Sequence, residues 1–156
     1  MPVEKRGAEL ELVIRPFLPQ DAPAASAILE EATEAASWSF EALQQLLSLR
    51  GAVAWIAERG ATPTGFIVGR QVADEGEILN LAIRKGYRRR GQGRALAKQL
   101  LEGFANRGVV KMFLEVRESN LPAISFYESL GFRKTGRREG YYQNPPEAAL
   151  ILEKKH

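Results

Sequence analysis

The run ELELVIRPF alternates apolar and polar positions, with Leu10, Leu12 and Ile14 on one side, and a period of two predicts a strand. The spacing then lengthens. LPQDAPAASAILEEATEA and SFEALQQLLSL place their apolar residues at helical intervals, the second with Ser39 as its cap and Leu43, Leu46 and Leu47 as its stripe. GAVAWIAE, TGFIVGRQVA and GEILNLAIR follow as three strands separated by Gly, Pro and Asp turn signals, for which a meander is the economical arrangement.

Helical spacing returns over 91–107, with Leu96, Leu100, Leu101 and Phe104 on one stripe and Gly108 as the stop. VVKMFLEVR is the next strand. SNLPAISFYESLGF reads as a short helix with Asn120 as N-cap, Pro122 in its first turn and Gly131 at its end, and FRKTGRREGYY and AALILEKK close the chain as strands across a QNPP loop. The order is β-α-α-β-β-β-α-β-α-β-β, a mixed α/β (α+β) single domain. Residues 1–9 are expected as a flexible lead and 10–156 as the domain. A right-handed crossover through helix 91–107 puts EILNLAI and VVKMFLEV side by side and parallel.

Composition narrows the chemistry. Without cysteine, disulfides, thiolate metal sites and cysteine nucleophiles are excluded, and a reducing cytoplasm is the expected setting. The single histidine is His156, so a zinc site and a histidine-based triad are excluded in the same way and no metal is expected. MPVEKRGAELELVIRP has no apolar stretch of signal-peptide length, and no segment approaches the roughly 20 apolar residues that cross a bilayer, so a soluble, unexported protein is expected. The net charge of +3 divides unevenly, −6 over residues 1–80 and +9 over 81–156, and the second half suits an anion.

YRRRGQGRALA, residues 87–97, is where an anion would bind. It is not a Walker loop, because no Lys-Ser or Lys-Thr follows a glycine at the required spacing. As a dinucleotide fingerprint it lacks the third glycine, whose position holds Leu96, and its first glycine lies too far beyond the preceding strand. What remains is a set of backbone N–H groups from Arg89 to Arg94 at a helix start, with Gly91 and Gly93 allowing close approach, or else an ordinary basic loop.

Read together, EILNLAIRKGYRRRGQGRALAKQLL, LEVRESNLPAISFYESLGF and GYYQNP resemble the GNAT superfamily of N-acetyltransferases, and within it the bacterial ribosomal-protein-alanine N-acetyltransferases of RimI type. The resemblance covers about residues 10–153, and Arg88, Gly91 and Gly93 meet the superfamily's loop signature. It implies a mixed central sheet of about seven strands with helices on both faces, and acetyl-CoA as cosubstrate in a cleft between two splayed parallel strands. The backbone of Leu81, Ala82 and Ile83 would pair with the pantetheine arm. The loop Arg88, Arg89, Arg90, Gly91, Gln92, Gly93 and Arg94 would hold the pyrophosphate, and Asn120 would bond the cofactor near its reactive end.

By the same resemblance Glu115 is the general base, through a water, and Tyr127 the general acid toward the departing thiolate. Trp38 and Ser39, with Tyr141 and Tyr142, would face an incoming protein N-terminus, the alanine of a small-subunit ribosomal protein. Glu30, Glu31, Glu34 and Glu41 would attract that basic partner. Neither a membrane nor nucleic acid outside the ribosome is implied as a partner, and both monomer and homodimer stay open. Gln92 stands where an apolar residue is usual, Lys85 and Gly86 replace a proline-containing turn, Ser37 replaces a proline, and Ala148 an acidic residue. Two alternatives stay open beside this reading: acetylation of a small-molecule amine or a lysine side chain, and a basic nucleic-acid-binding domain without catalysis.

Overall fold

The computed structural model describes residues 10–32 and 34–156; the expected N-terminal lead, residues 1–9, lies outside the described residues. Seven strands form one mixed sheet in the order β1-β2-β3-β4-β5-β7-β6. They are β1 (Leu12–Pro16), β2 (Ala52–Arg59), β3 (Thr62–Val72), β4 (Glu75–Ile83), β5 (Lys111–Arg117), β6 (Arg133–Gln143) and β7 (Pro146–Lys155). The helices are α1 (Ala22–Glu31), α2 (Phe40–Gln44), α3 (Gln92–Asn106) and α4 (Leu121–Ser129). Strands β1 to β4 run antiparallel as the expected meander, and β4 and β5 are parallel neighbours joined through α3.

Two cores sit on opposite faces. Leu96, Leu100, Leu101 and Phe104 of α3 pack with Met112, Leu114 and Val116 of β5 and with Tyr127 and Phe132. Ala25 and Ile28 of α1, with Leu43 and Leu46, cover Ile56, Phe66 and Val68 on the other side. The expected second helix is broken: α2 ends at Gln44, a 3₁₀ turn over Leu46–Ser48 tucks Leu46 inward, and Leu47 of the expected stripe is exposed. The first helix is shorter than its pattern, because Pro19 and Pro23 confine its start and the last helical residue is Glu31. Ser39 and Asn120 cap their helices as expected, accepting from the amides of Ala42 and Ala123.

Two bulges shape the working end. In β3 and β4 the register jumps between Val68↔Asn80 and Gly69↔Ile78, so Leu79 is the extra residue on β4. In β2 and β3 it jumps between Ala57↔Gly65 and Glu58↔Pro63, leaving Thr64 outside the ladder. A bulge bends its strand and re-aims side chains. The β4 bulge reverses which residues face α3: Ile78 lies in that core, Leu79 packs on the α1 side, and Leu81 packs on the α3 side again.

Buried Asp21 secures the entry to α1. Arg15 donates to both of its carboxylate oxygens at 2.8 Å and also to Glu58 at 2.6 Å, while the Leu18 amide donates to Asp21 at 2.7 Å. The Arg15 hydrogen bond holds the Asp21 carboxyl below its ordinary value of 3.8, against the opposing effect of burial. A depressed folded-state pKa stabilises the fold above the unfolded value and loses that contribution as pH falls through the folded one. Thermal melts between pH 2 and 7 should therefore show an acid-side loss below about pH 4 that is flatter in Asp21→Asn, itself destabilised by about 1–3 kcal/mol at neutral pH.

Candidate active site

Parallel pairing of β4 with β5 stops after Glu75↔Lys111, Gly76↔Met112 and Glu77↔Phe113. Beyond it β4 stays on β3 as far as Ile83, and β5 stays on β7 as far as Arg117. The two strands splay, and the Leu79 bulge in β4 lies where the separation begins. Leu81, Ala82 and Ile83 thus carry a free strand edge toward the gap, with Leu81 and Ile83 packed on the α3 core and Ala82 on the α1 core.

The loop from Arg88 to Arg94 closes one end of that gap. Among the described residues, the backbone N–H groups of Arg89 to Arg94 have no hydrogen-bond partner; the first helical bond at this end runs from Ala95 to the Gly91 carbonyl. Such unsatisfied donors at the positive end of a helix dipole make an anion cradle. Gly91 takes φ 78° as the N-cap of α3, and a Cβ built on it would meet nothing within 4 Å. The arginines divide in role. Arg88 donates from Nε to the Ile83 carbonyl at 3.1 Å and pairs with Glu34 at 2.7 Å, and Arg94 donates to Ser129 Oγ at 2.8 Å. Arg89 and Arg90 are exposed, the latter lying over the Tyr87 ring.

Gln92 differs from the expectation that the whole loop faces a ligand. Its side chain is 1% exposed and turns into the fold, accepting from Arg59 Nε at 2.7 Å and donating to Thr64 Oγ1 at 2.9 Å. Only its amide is left for the cradle. Asn120 spends its Oδ1 on capping α4, at 3.2 Å from the Ala123 amide.

Glu115 and Tyr127 lie on opposite faces of the sheet. Tyr127 belongs to the α3 core with Leu114 and Val116, whereas Glu115, alternating with those residues along β5, faces the other way. The β4–β5 gap connects the two sides. Burial drives the Tyr127 phenol well above its ordinary pKa, and its ring packs edge-on against Phe126 and Phe132 at 5.1 and 5.7 Å. The Glu115 side chain is 12% exposed, its Oε2 is buried without a hydrogen-bond partner, and Oε1 is 3.8 Å from Arg138.

Tyr141 and Tyr142 reach Glu115 because β6 leaves its ladder between Arg138↔Ala149 and Tyr142↔Glu147, with Gly140 at φ 60° in the excursion. The Tyr141 phenol is pushed up to about 12, first by its side-chain interaction with the Glu115 carboxylate and then by burial, although Glu115 Oε2 still lacks a full hydrogen bond. Tyr142 is also raised, by burial and then by Glu115. Arg117 lies 4.3 Å above the Tyr142 ring, and it donates to Glu147 and the Pro145 carbonyl, tying the loop to the end of β5.

Glu77 was not among the residues expected from sequence. It is half-buried on the Glu115 face, and burial first, then the Glu115 carboxylate, raise its pKa against the pull of Arg70 and Arg138. Its signal in the sequence was weak, a second carboxylate two residues after Glu75 at the polar start of β4. Trp38 packs half-buried against the α1 core, and Ser39 spends its hydroxyl on the α2 cap. Of the four acidic residues expected to attract a basic partner, Glu31 is paired with Arg84 at 2.6 Å and Glu34 with Arg88, which leaves the exposed Glu30 and Glu41 for that role. Among the described residues no group of acidic or histidine side chains could hold a metal, and no helix is long and apolar enough to cross a membrane.

The chain is similar to proteins already known. A ribosomal protein bS18-alanine N-acetyltransferase of Escherichia coli (strain K12) is 42% identical over 89 residues, 56% of this chain and 60% of that protein. The aligned part thus spans well under two thirds of that relative's length. The protein of the same name from Haemophilus influenzae is 32% identical over 127 residues, covering 80% of this chain and 86% of its own. The crystal structure of the ribosomal-protein-S18-alanine N-acetyltransferase from Escherichia coli matches with a TM-score of 0.83 and 32% identity, over 93% of this chain and 94% of that one. The family model described as the acetyltransferase (GNAT) family matches residues 22–132, a span that takes in the splayed strands, the α3 cradle, Glu115 and Tyr127, and the chain belongs to that family.

Proposed function

We propose that this protein transfers the acetyl group of acetyl-CoA to the α-amino group of a protein N-terminus, the alanine of a small-subunit ribosomal protein, in the cytoplasm. The observation that carries the reading is the gap between β4 and β5, with amides that have no partner among the described residues on one side and the unpartnered Oε2 of Glu115 on the other. Acetyl-CoA supplies an activated thioester. The amides of Arg89 to Arg94 grip its pyrophosphate, the free edge at Leu81, Ala82 and Ile83 aligns the pantetheine arm, and Asn120 steadies it near the reactive end. Trp38, Ser39, Tyr141 and Tyr142 border the acceptor.

Glu115 takes the proton from the incoming ammonium, through a water. An α-amino group with a pKa of about 7.7–8.0 gives up that proton at pH 7 for about 1 kcal/mol, whereas a lysine near 10.4 needs about 4.6, so a single carboxylate suits the N-terminus better. Tyr127 faces the departing thiolate. Even an ordinary tyrosine is a weaker acid than a thiol, by about 2 kcal/mol, and burial here weakens Tyr127 further. Its hydroxyl therefore donates a hydrogen bond to the thiolate and keeps its proton, and the second proton, shed by the nitrogen as the amide forms, goes to the thiolate, so that CoA leaves as the thiol.

The test uses acetyl-CoA with two peptides, one with a free N-terminal alanine and one blocked at the N-terminus but bearing lysine. Mass spectrometry should find the acetyl group on the first alone. Acetylation confined to the second would replace this reading by the lysine or small-amine alternative. Absence of any thermal shift with acetyl-CoA, together with salt-sensitive RNA binding, would favour the non-catalytic one.

A further inference from the structure

The loop from Arg84 to Gln92 is fastened at both ends to one feature, the bulge at Pro63 and Thr64 in β3. At the near end the Arg84 amide donates to the Thr64 carbonyl at 2.8 Å and Arg84 Nε to the Pro63 carbonyl at 3.0 Å. At the far end Gln92 Nε2 donates to Thr64 Oγ1, while Gln92 Oε1 accepts from Arg59 Nε. Arg59 is held in turn by the Leu10 carbonyl at 2.6 Å, and the Thr64 hydroxyl by the Ala57 carbonyl at 3.3 Å. The bulge is what frees Thr64 from the ladder to do this.

Between these fastenings the backbone is in an unfavourable state. Arg89 takes φ 60° without being glycine, and Gly91 follows at 78°. A strained φ persists only where the surroundings over-determine it. Exposed Arg89 and Arg90 offer no such hold, so it comes from Arg88 on the Ile83 carbonyl and from Gln92. A loose helix start would have to order six amides at the moment of binding, which weakens binding.

We infer that Gln92 is a positioning residue: its buried amide, clamped by Arg59 and Thr64, sets the helix-start amides in their binding geometry before acetyl-CoA arrives. This rests on the reading that those amides hold the pyrophosphate. It explains why a polar side chain is retained at a position 1% exposed, since both of its functional atoms are satisfied there.

The test compares wild type with Gln92→Leu and with the near-isosteric Thr64→Val. Acetyl-CoA affinity is measured by calorimetry well below each melting temperature, and kcat and both KM values come from steady-state assays. Gln92→Leu should weaken acetyl-CoA binding and raise its KM about tenfold, and Thr64→Val about threefold, while kcat at saturation and KM for the acceptor peptide move less than about twofold. A purely structural role would lower the melting temperature with the affinity of the folded protein unchanged. Acetyl-CoA affinity within twofold of wild type in Gln92→Leu, or in Thr64→Val should the first fail to fold, overturns the inference and leaves the acetyl-transfer reading standing. Failure of wild type itself to bind acetyl-CoA overturns that reading, and the inference with it.

Discussion

Glu115→Gln is expected to lower kcat by about 10²- to 10³-fold while leaving acetyl-CoA affinity within about twofold, as removal of a general base does. The substitution keeps the volume and one carbonyl acceptor, and replaces the charged, proton-accepting oxygen with a neutral NH2 that cannot act as a base. Glu115 lies beyond the last β4–β5 pair, so one edge of its backbone is held by β7, at the pair with Ile151, while the other faces the gap. Its Oε2 is buried and unpartnered, which leaves it free to accept a proton or to orient a water. Among the described residues the cation paired with it, Arg138 at 3.8 Å, is too far for a tight ion pair that would hold the charge in place. Two neighbours would report the loss of charge. The Tyr141 phenol, held up to about 12 chiefly by that carboxylate, should titrate at lower pH in the variant, and the raised Glu77 carboxyl should fall as well. Spectrophotometric titration of tyrosine and the pH dependence of kcat would register both. A kcat within threefold of wild type would move the base elsewhere, with Glu77 the first candidate.

Gly91→Val should raise KM for acetyl-CoA by about 10²-fold or more and destabilise the fold by about 1–2 kcal/mol, the cost of placing an L-residue in the left-handed region. The two effects have separate origins. No atom lies within 4 Å of a Cβ at Gly91, so the stability cost is backbone strain, whereas the expected loss of binding comes from adding bulk, and shifting the backbone, within the run of unpartnered amides. Gly93→Ala separates them further. A Cβ there meets only Phe126, at 3.5 Å, so its melting temperature should hold while binding weakens. Exposed Arg89→Ala and Arg90→Ala should cost no more than about threefold and reduce the salt dependence of binding. Arg88→Ala should cost more than either, because Arg88 secures the end of β4 through the Ile83 carbonyl. Equal losses across all three arginines would mean that side-chain charge, rather than backbone amides, carries the grip.

Much of the candidate site could be read from local pattern, because the groups proposed to bind are close together in the chain. Gly91, Gly93 and the start of α3 are contiguous, and the Asn120 cap lies within the helix that it begins. The character of β5 could also be read, since a crossover through α3 makes it central, and that made a carboxylate at position 115 conspicuous. Other features depended on contacts that no window of sequence contains. Gln92 looked like one more residue of an exposed loop, yet its partners are 33 and 28 positions away. Glu31 and Glu34 looked like free acidic surface and instead neutralise Arg84 and Arg88 across 53 and 54 positions of chain. Leu47 shared its spacing with Leu46, and only the 3₁₀ turn decided which of them is buried.

By itself the sequence determined the order of elements, the parallel β4–β5 pair and the helix start with its bare amides, since each follows from periodicity, chirality and turn chemistry acting over a few residues. Tertiary structure alone decided the rest. The Leu79 bulge opens β4 from β5, the excursion in β6 brings Tyr141 to Glu115, and the Thr64 bulge receives Gln92. A bulge is a one-residue change of register between two strands, and its position is set by how both strands pack rather than by the residues of either.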